Sequence, residues 1–184
     1  MQLRNSAERF GTVAQSVHWL TVVLVLLAWV LGQIGESLGS KAAEQTALFV
    51  HMSAGLAIIV LFALRLAWRT IDAPPAPEPS RLGWMVEKSA ALTHVLLYLL
   101  LIAVPVAGIV LQFARGRGIP LFGLGEIASP WVADRAFSRP VKQVHEVLAN
   151  ALIVVALLHA GAALVHHWVF GDRTLVRMLP GRAR

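Results

Sequence analysis

The sequence predicts an all-α integral membrane protein, a bundle of four spanning helices, on three observations. Hydrophobic residues make up 57% of the 184 residues and charged residues only 14%, against roughly 25% charged in a soluble globular chain. The apolar residues gather into four long runs, at about 17–34, 48–68, 90–113 and 144–170. Each has at least ~18 residues, enough to cross a hydrocarbon core of about 30 Å as a helix. Every run also carries a histidine. A chain this apolar cannot clothe itself in polar groups, so lipid is its solvent over much of its length. The whole chain, 1–184, reads as one transmembrane domain.

The first run resembles a secretory leader, but it exceeds the ~7–15 residues of a signal core and no small-x-small cleavage site follows it. It is expected to be a retained helix. Between the second and third runs, Asp72–Ser80 holds four prolines, which remove donors and disfavour helical backbone before them. That stretch is a stiff, extended linker. Between the third and fourth runs, Ala114–Val141 is rich in glycine, proline and arginine and belongs on the surface, with room for a short amphipathic turn. No internal repeat or low-complexity tract stands out.

Cysteine is absent. That removes disulfides, thiolate zinc sites, iron–sulfur clusters and covalent haem attachment, leaving seven histidines and four methionines as soft ligands. The net charge of +6 marks membrane flanks rather than nucleic-acid binding, because the basic residues sit at the ends of the runs; the expected partner is membrane lipid. With four crossings both termini share a side. Arg4, Arg9, Arg65, Arg69, Arg81, Lys88, Arg173, Arg177, Arg182 and Arg184 fall on that side, against Lys41, Arg115, Arg117, Arg135, Arg139 and Lys142 opposite. The excess puts both termini in the cytoplasm, although the second outer loop is itself basic.

Ionisable groups within a span are costly and usually functional. In the fourth run His145 and His159 are fourteen residues apart, about 21 Å along a helix and about 40° apart around it. They face one way at two depths. The first run starts on the inner side with His18, level with His159; the second starts on the outer side with His51, level with His145. Two pairs result, His18 with His159 and His51 with His145. Single histidines in a span commonly serve as interhelical hydrogen-bonders. Four that pair by depth on consistent faces fit bis-imidazole ligation of haem between the helices better. Hard metals are disfavoured, since Glu146 is the only nearby acid. Gly55, one turn from His51, and Ala160-Gly161-Ala162-Ala163 after His159 give clearance for a flat ring.

Several motifs are similar to those of the bacterial cytochrome b561 family: Ser16-Val-His-Trp-Leu20, Val50-His-Met-Ser-Ala-Gly55, Thr93-His-Val-Leu-Leu-Tyr98, Pro105-Val-Ala-Gly108 and His145-Glu-Val-Leu-Ala-Asn150. The ending from Leu158-His-Ala-Gly161 through His166-His167 to Arg177-Met-Leu-Pro180 is similar too. The resemblance implies a multi-pass bacterial inner-membrane protein with two haem b groups, ligated at His18, His51, His145 and His159. It further implies a superoxide oxidase-like activity, with superoxide or a redox protein as donor and ubiquinone as acceptor. The wider group also contains haem b subunits that anchor a dehydrogenase or hydrogenase and relay its electrons to quinone.

No acid–base catalytic pair is visible beyond the haem ligands. His166, seven residues past His159 on nearly the same face, suits a quinone carbonyl or a haem propionate; a cation at a helix C-terminus is the alternative. His94 suits a capping or interface role, or a quinone contact, and Arg65 can pair a propionate. His167 points elsewhere and reads as structural. Arg115, Arg117, Arg135, Arg139 and Lys142 surround the outer level, where a positive field would steer a small anion or hold anionic headgroups.

Overall fold

The structure, a computed structural model, describes residues 2–78 and 83–181. Four long helices fill it: α1 Thr12–Ile34, α2 Lys41–Ile71, α3 Trp84–Ala114 and α4 Arg135–Trp168. All four are long and apolar enough to cross a membrane. Pro79 and Ser80 of the linker, and Arg81, Arg182 and Arg184 of the basic flanks, lie outside the described residues.

Each helix begins earlier than its apolar run, because the run marks what lipid touches while the helix begins where its free N–H groups find acceptors. Ser40 accepts from Ala43 N–H ahead of α2, and Asp134 accepts from Phe137 N–H ahead of α4. The linker is non-helical from Asp72 through Glu78, as its three prolines, Pro74, Pro75 and Pro77, require. The connection between α3 and α4 holds a two-residue antiparallel ladder, β1 Ile119–Pro120 with β2 Glu126–Ile127, in which Ile119 is buried. This small hairpin replaces the expected amphipathic turn; Gly123 and Gly125 permit the tight reversal, Gly123 in the left-handed region.

The bundle is two hairpins. α1 packs chiefly on α2 and α3 chiefly on α4, with lighter contact between α2 and α3. Val25, Ile58, Leu101, Leu152 and Ile153 meet at the centre, one or two from each helix. Val23, Leu99, Leu157 and Leu158 are exposed on the outside of the bundle, as lipid-facing residues are in a membrane.

The end carrying both termini is tied together by polar contacts. Arg177 is buried. It donates to the carbonyls of Glu8 and Ala7 at 2.8 and 3.4 Å and pairs with Glu78 at 3.5 Å. Asn5 receives a second fastening, its N–H donating to Asp72 Oδ2 at 2.8 Å, and Trp19 Nε1 donates to Met178 C=O at 2.9 Å. Replacing Arg177 with Met should strand these acceptors at about 1–3 kcal/mol. Amide exchange across residues 5–11 should then accelerate; unchanged protection there would contradict the clasp.

A paired-histidine site between two helical hairpins

At the end of the bundle away from the termini, toward the α1–α2 and α3–α4 connections and here called the outer level, His51 on α2 faces His145 on α4. Their ring centroids are 6.1 Å apart with planes at 80°. His51 Nδ1 lies 2.8 Å from Ala28 C=O on α1, and His145 Nδ1 lies 3.0 Å from Val104 C=O on α3. A carbonyl only accepts, so both Nδ1 atoms donate, and the neutral rings keep their Nε2 lone pairs free. Each hairpin therefore orients its own imidazole through a neighbouring backbone, the support that metal-ligating histidines commonly have.

Glycine makes the approach close enough. A Cβ on Gly32 would stand 3.3 Å from His51 Cε1, and one on Gly108 would stand 3.2 Å from His145 Cε1. A cavity of about 430 Å³ opens between the hairpins, lined by both histidines, Gly32, Gly55, Gly108 and Met52. That volume lies within the ~300–1,000 Å³ of ligand sites. Metal–imidazole bonds of about 2 Å on each side would leave ring centres about 6 Å apart. Among the described residues no group of three or more His, Cys, Asp or Glu side chains could hold a bare ion. Two opposed imidazoles suit a macrocycle whose own nitrogens complete the coordination, so the donor set fits haem.

The inner level is built differently. His159 has His94 as its ring neighbour, centroids 5.2 Å apart. His18 has Arg65 Nη1 3.2 Å from its Nδ1; guanidinium only donates, so in this arrangement a neutral His18 carries its proton on Nε2. Arg65 Nε and Arg69 Nη1 also donate to Tyr98 Oη, at 3.2 and 3.3 Å. The structure thus gathers His18, His94, His159 and Arg65 at one level, without the ready-made opposition seen between His51 and His145.

His166 Nδ1 is 2.5 Å from Asp172 Oδ2. Partial burial pushes the Asp172 carboxyl up, but hydrogen bonds from His166 and from Thr174 outweigh it, holding this group below the ordinary carboxylate range. His167 lies beside Trp168 instead. On the outer side Arg115, Arg117 and Lys142 line the rim of the cavity. Arg135 joins Arg115 and Arg117 around a second, polar recess, and Arg139 is exposed on α4. Lys142 is shared between Glu36 at 3.6 Å and Glu146 at 3.5 Å, so part of this positive charge is already matched.

Sequence reasoning located the histidines but missed their carbonyl partners and glycine seats. Gly55 does line the cavity, whereas a Cβ on Gly161 would meet nothing within 4 Å. The available signal was spacing: His18 precedes Gly32 by fourteen residues, and His94 precedes Gly108 by the same interval.

Comparison with known proteins agrees with this architecture. The family described as "Prokaryotic cytochrome b561" matches residues 9–181. "Cytochrome b561 homolog 2" of Escherichia coli (strain K12) is 31% identical over 97% of this chain and 95% of its own length. "Probable superoxide oxidase CybB" of Yersinia pestis is 34% identical over 94% and 97%. "Cytochrome b562" of Cereibacter sphaeroides is 29% identical over 91% and 92%.

The glycine seat yields a direct test. Val in place of Gly108 would drive its methyl groups into the His145 ring and break the bond to Val104 C=O. Haem content after purification should fall; wild-type haem content in Gly108→Val would contradict the seat.

Proposed function

The chain belongs to the prokaryotic cytochrome b561 family, a multi-pass bacterial membrane cytochrome with an electron-transfer role, and from that premise we propose that it moves electrons from superoxide at its outer face to ubiquinone in the membrane. The facing of His51 and His145 across the cavity carries this reading. In it two haem b groups are held, the outer by His51 and His145 and the inner by His159 and by His18 once its Nε2 proton has moved to Nδ1 and the Arg65 contact is released, and both termini are cytoplasmic. Bound haem supplies the one-electron chemistry; the side chains hold, insulate and steer.

Two superoxide anions each give up one electron and leave as dioxygen. One ubiquinone accepts both electrons with two protons and becomes ubiquinol. Arg115, Arg117, Arg135, Arg139 and Lys142 raise the local concentration of the anion near the outer level. Val25, Ile58, Leu101 and Leu152 keep water from the space between levels. His166, His94 and Arg65 stand at the inner level, where they can donate to a quinone carbonyl or a propionate.

A second reading, a haem b anchor and relay for a dehydrogenase or hydrogenase, is favoured by one observation. Leu124 and Val132 on the outer connection are 91% and 92% exposed, and exposed apolar groups suit a docking partner.

Stopped-flow mixing with superoxide decides between them. The purified chain alone should show haem reduction that slows as salt screens the basic face; no fast reduction without a partner subunit would overturn the superoxide reading. Replacing His51 or His145 with Ala should leave about one haem per chain and abolish that fast phase, whereas its survival would mean superoxide delivers elsewhere.

A further inference from the structure

The two hairpins correspond residue by residue. His18 and Gly32 of α1 step by 76 to His94 and Gly108 of α3; Ser40, His51 and Arg65 step by 94 to Asp134, His145 and His159. The matched positions behave alike. Ser40 and Asp134 each cap the third N–H of the following helix. His51 and His145 sit on Gly32 and Gly108, and each bonds the carbonyl four residues before that glycine. Val25 matches Leu101 and Ile58 matches Leu152, all four in the central cluster. The expectation of no internal repeat is therefore corrected: identity between the copies is low, and the match lies in spacing and contacts. The larger step of the second helices places the extra residues in the α3–α4 connection, which bears β1, β2, Arg115 and Arg117.

α1 runs parallel to α3, and α2 to α4, the relation of parallel repeats about an axis along the membrane normal. The outer pair obeys that symmetry, His51 against His145. At the inner level His18 matches His94, but the counterpart of His159 is Arg65. The contacts follow suit: Arg65 touches His18 within the first hairpin, and His159 touches His94 within the second.

We propose that the chain is one helical hairpin used twice about a pseudo-two-fold axis, and that Arg65, standing where the second copy has His159, makes the inner site electrostatically unlike the outer and so draws electrons inward. This rests on the two-haem reading above. Reduction adds one negative charge to a site, and a permanent cation beside it favours that state in a low dielectric. Arg65 is always charged, and Arg69 joins it on Tyr98. Of the described acids at that end, Asp72 is held by Asn5, Glu78 by Arg177, Asp172 by His166 and Glu8 by Arg173, and Glu87 lies in the first turn of α3. At the outer level Glu36, Glu44 and Glu146 line the same cavity as Arg115, Arg117 and Lys142, so charge is matched in the cavity lining itself while the surplus of Arg135 and Arg139 lies outside that lining, and carbonyl acceptors make both imidazoles more electron-rich. Arg65 acts by its charge beside the inner site, as a tuning residue rather than a catalytic one.

The test is an optical redox titration of the holoprotein in lipid nanodiscs, for wild type, Arg65→Gln and Arg65→Lys, with His145→Ala identifying the outer component. Wild type should resolve two components, the inner at higher potential. Arg65→Gln should keep its haem content and shift the inner component to lower potential, toward the outer one, while the outer stays put; Arg65→Lys should retain most of the wild-type separation. An unshifted inner component in Arg65→Gln, an equal shift in Arg65→Lys, or loss of the inner haem would overturn the role of Arg65. A single component in wild type would instead overturn the two-haem reading itself.

Discussion

An imidazole inside a membrane must find a partner for its N–H, and for His51 and His145 that partner is a carbonyl on the adjacent helix. A helical carbonyl already holding its own amide has a second lone pair to offer. It can be reached only where the facing helix is stripped of side chain, which is what Gly32 and Gly108 provide. From this requirement follow the tight pairing of α1 with α2 and α3 with α4, the orientation of His51 and His145, and the gap left between the hairpins. The centre is then sealed by a small cluster drawn from all four helices, which also separates the two levels along the bundle.

Much of this was legible in the sequence. Four apolar runs specify four spans because lipid forces every backbone group to be satisfied within a helix. The pairing of His51 with His145 followed from depth alone, since helix rise and direction fix the level of each residue. What stayed hidden depends on contacts between distant segments. The inner neighbours, His94 for His159 and Arg65 for His18, share a level with the anticipated partners, and depth cannot rank candidates at one level. Nor does an apolar run reveal its caps: Ser40 and Asp134 start their helices well before the lipid-facing residues. The clasp of Arg177 on the N-terminal carbonyls joins chain ends that no local pattern connects.

The repeat gives these particulars a common origin. Two similar hairpins generate a symmetric outer site without further specification, because each brings one histidine already fastened to its own first helix. Function then needs asymmetry, and the chain departs from the repeat at both ends. The outer end gains a connection bearing a small ladder and two arginines. The inner end exchanges one ring for a guanidinium beside the only tyrosine of the chain. On the proposed reading, these two local departures from a symmetric scaffold give an electron its direction.

The claim on which all else depends is that the two levels each hold one haem b between imidazoles. Haem b per polypeptide, from a pyridine haemochrome of purified protein set against quantitative amino-acid analysis, tests it most directly. The account predicts two per chain; a value of one, or colourless protein, would contradict it.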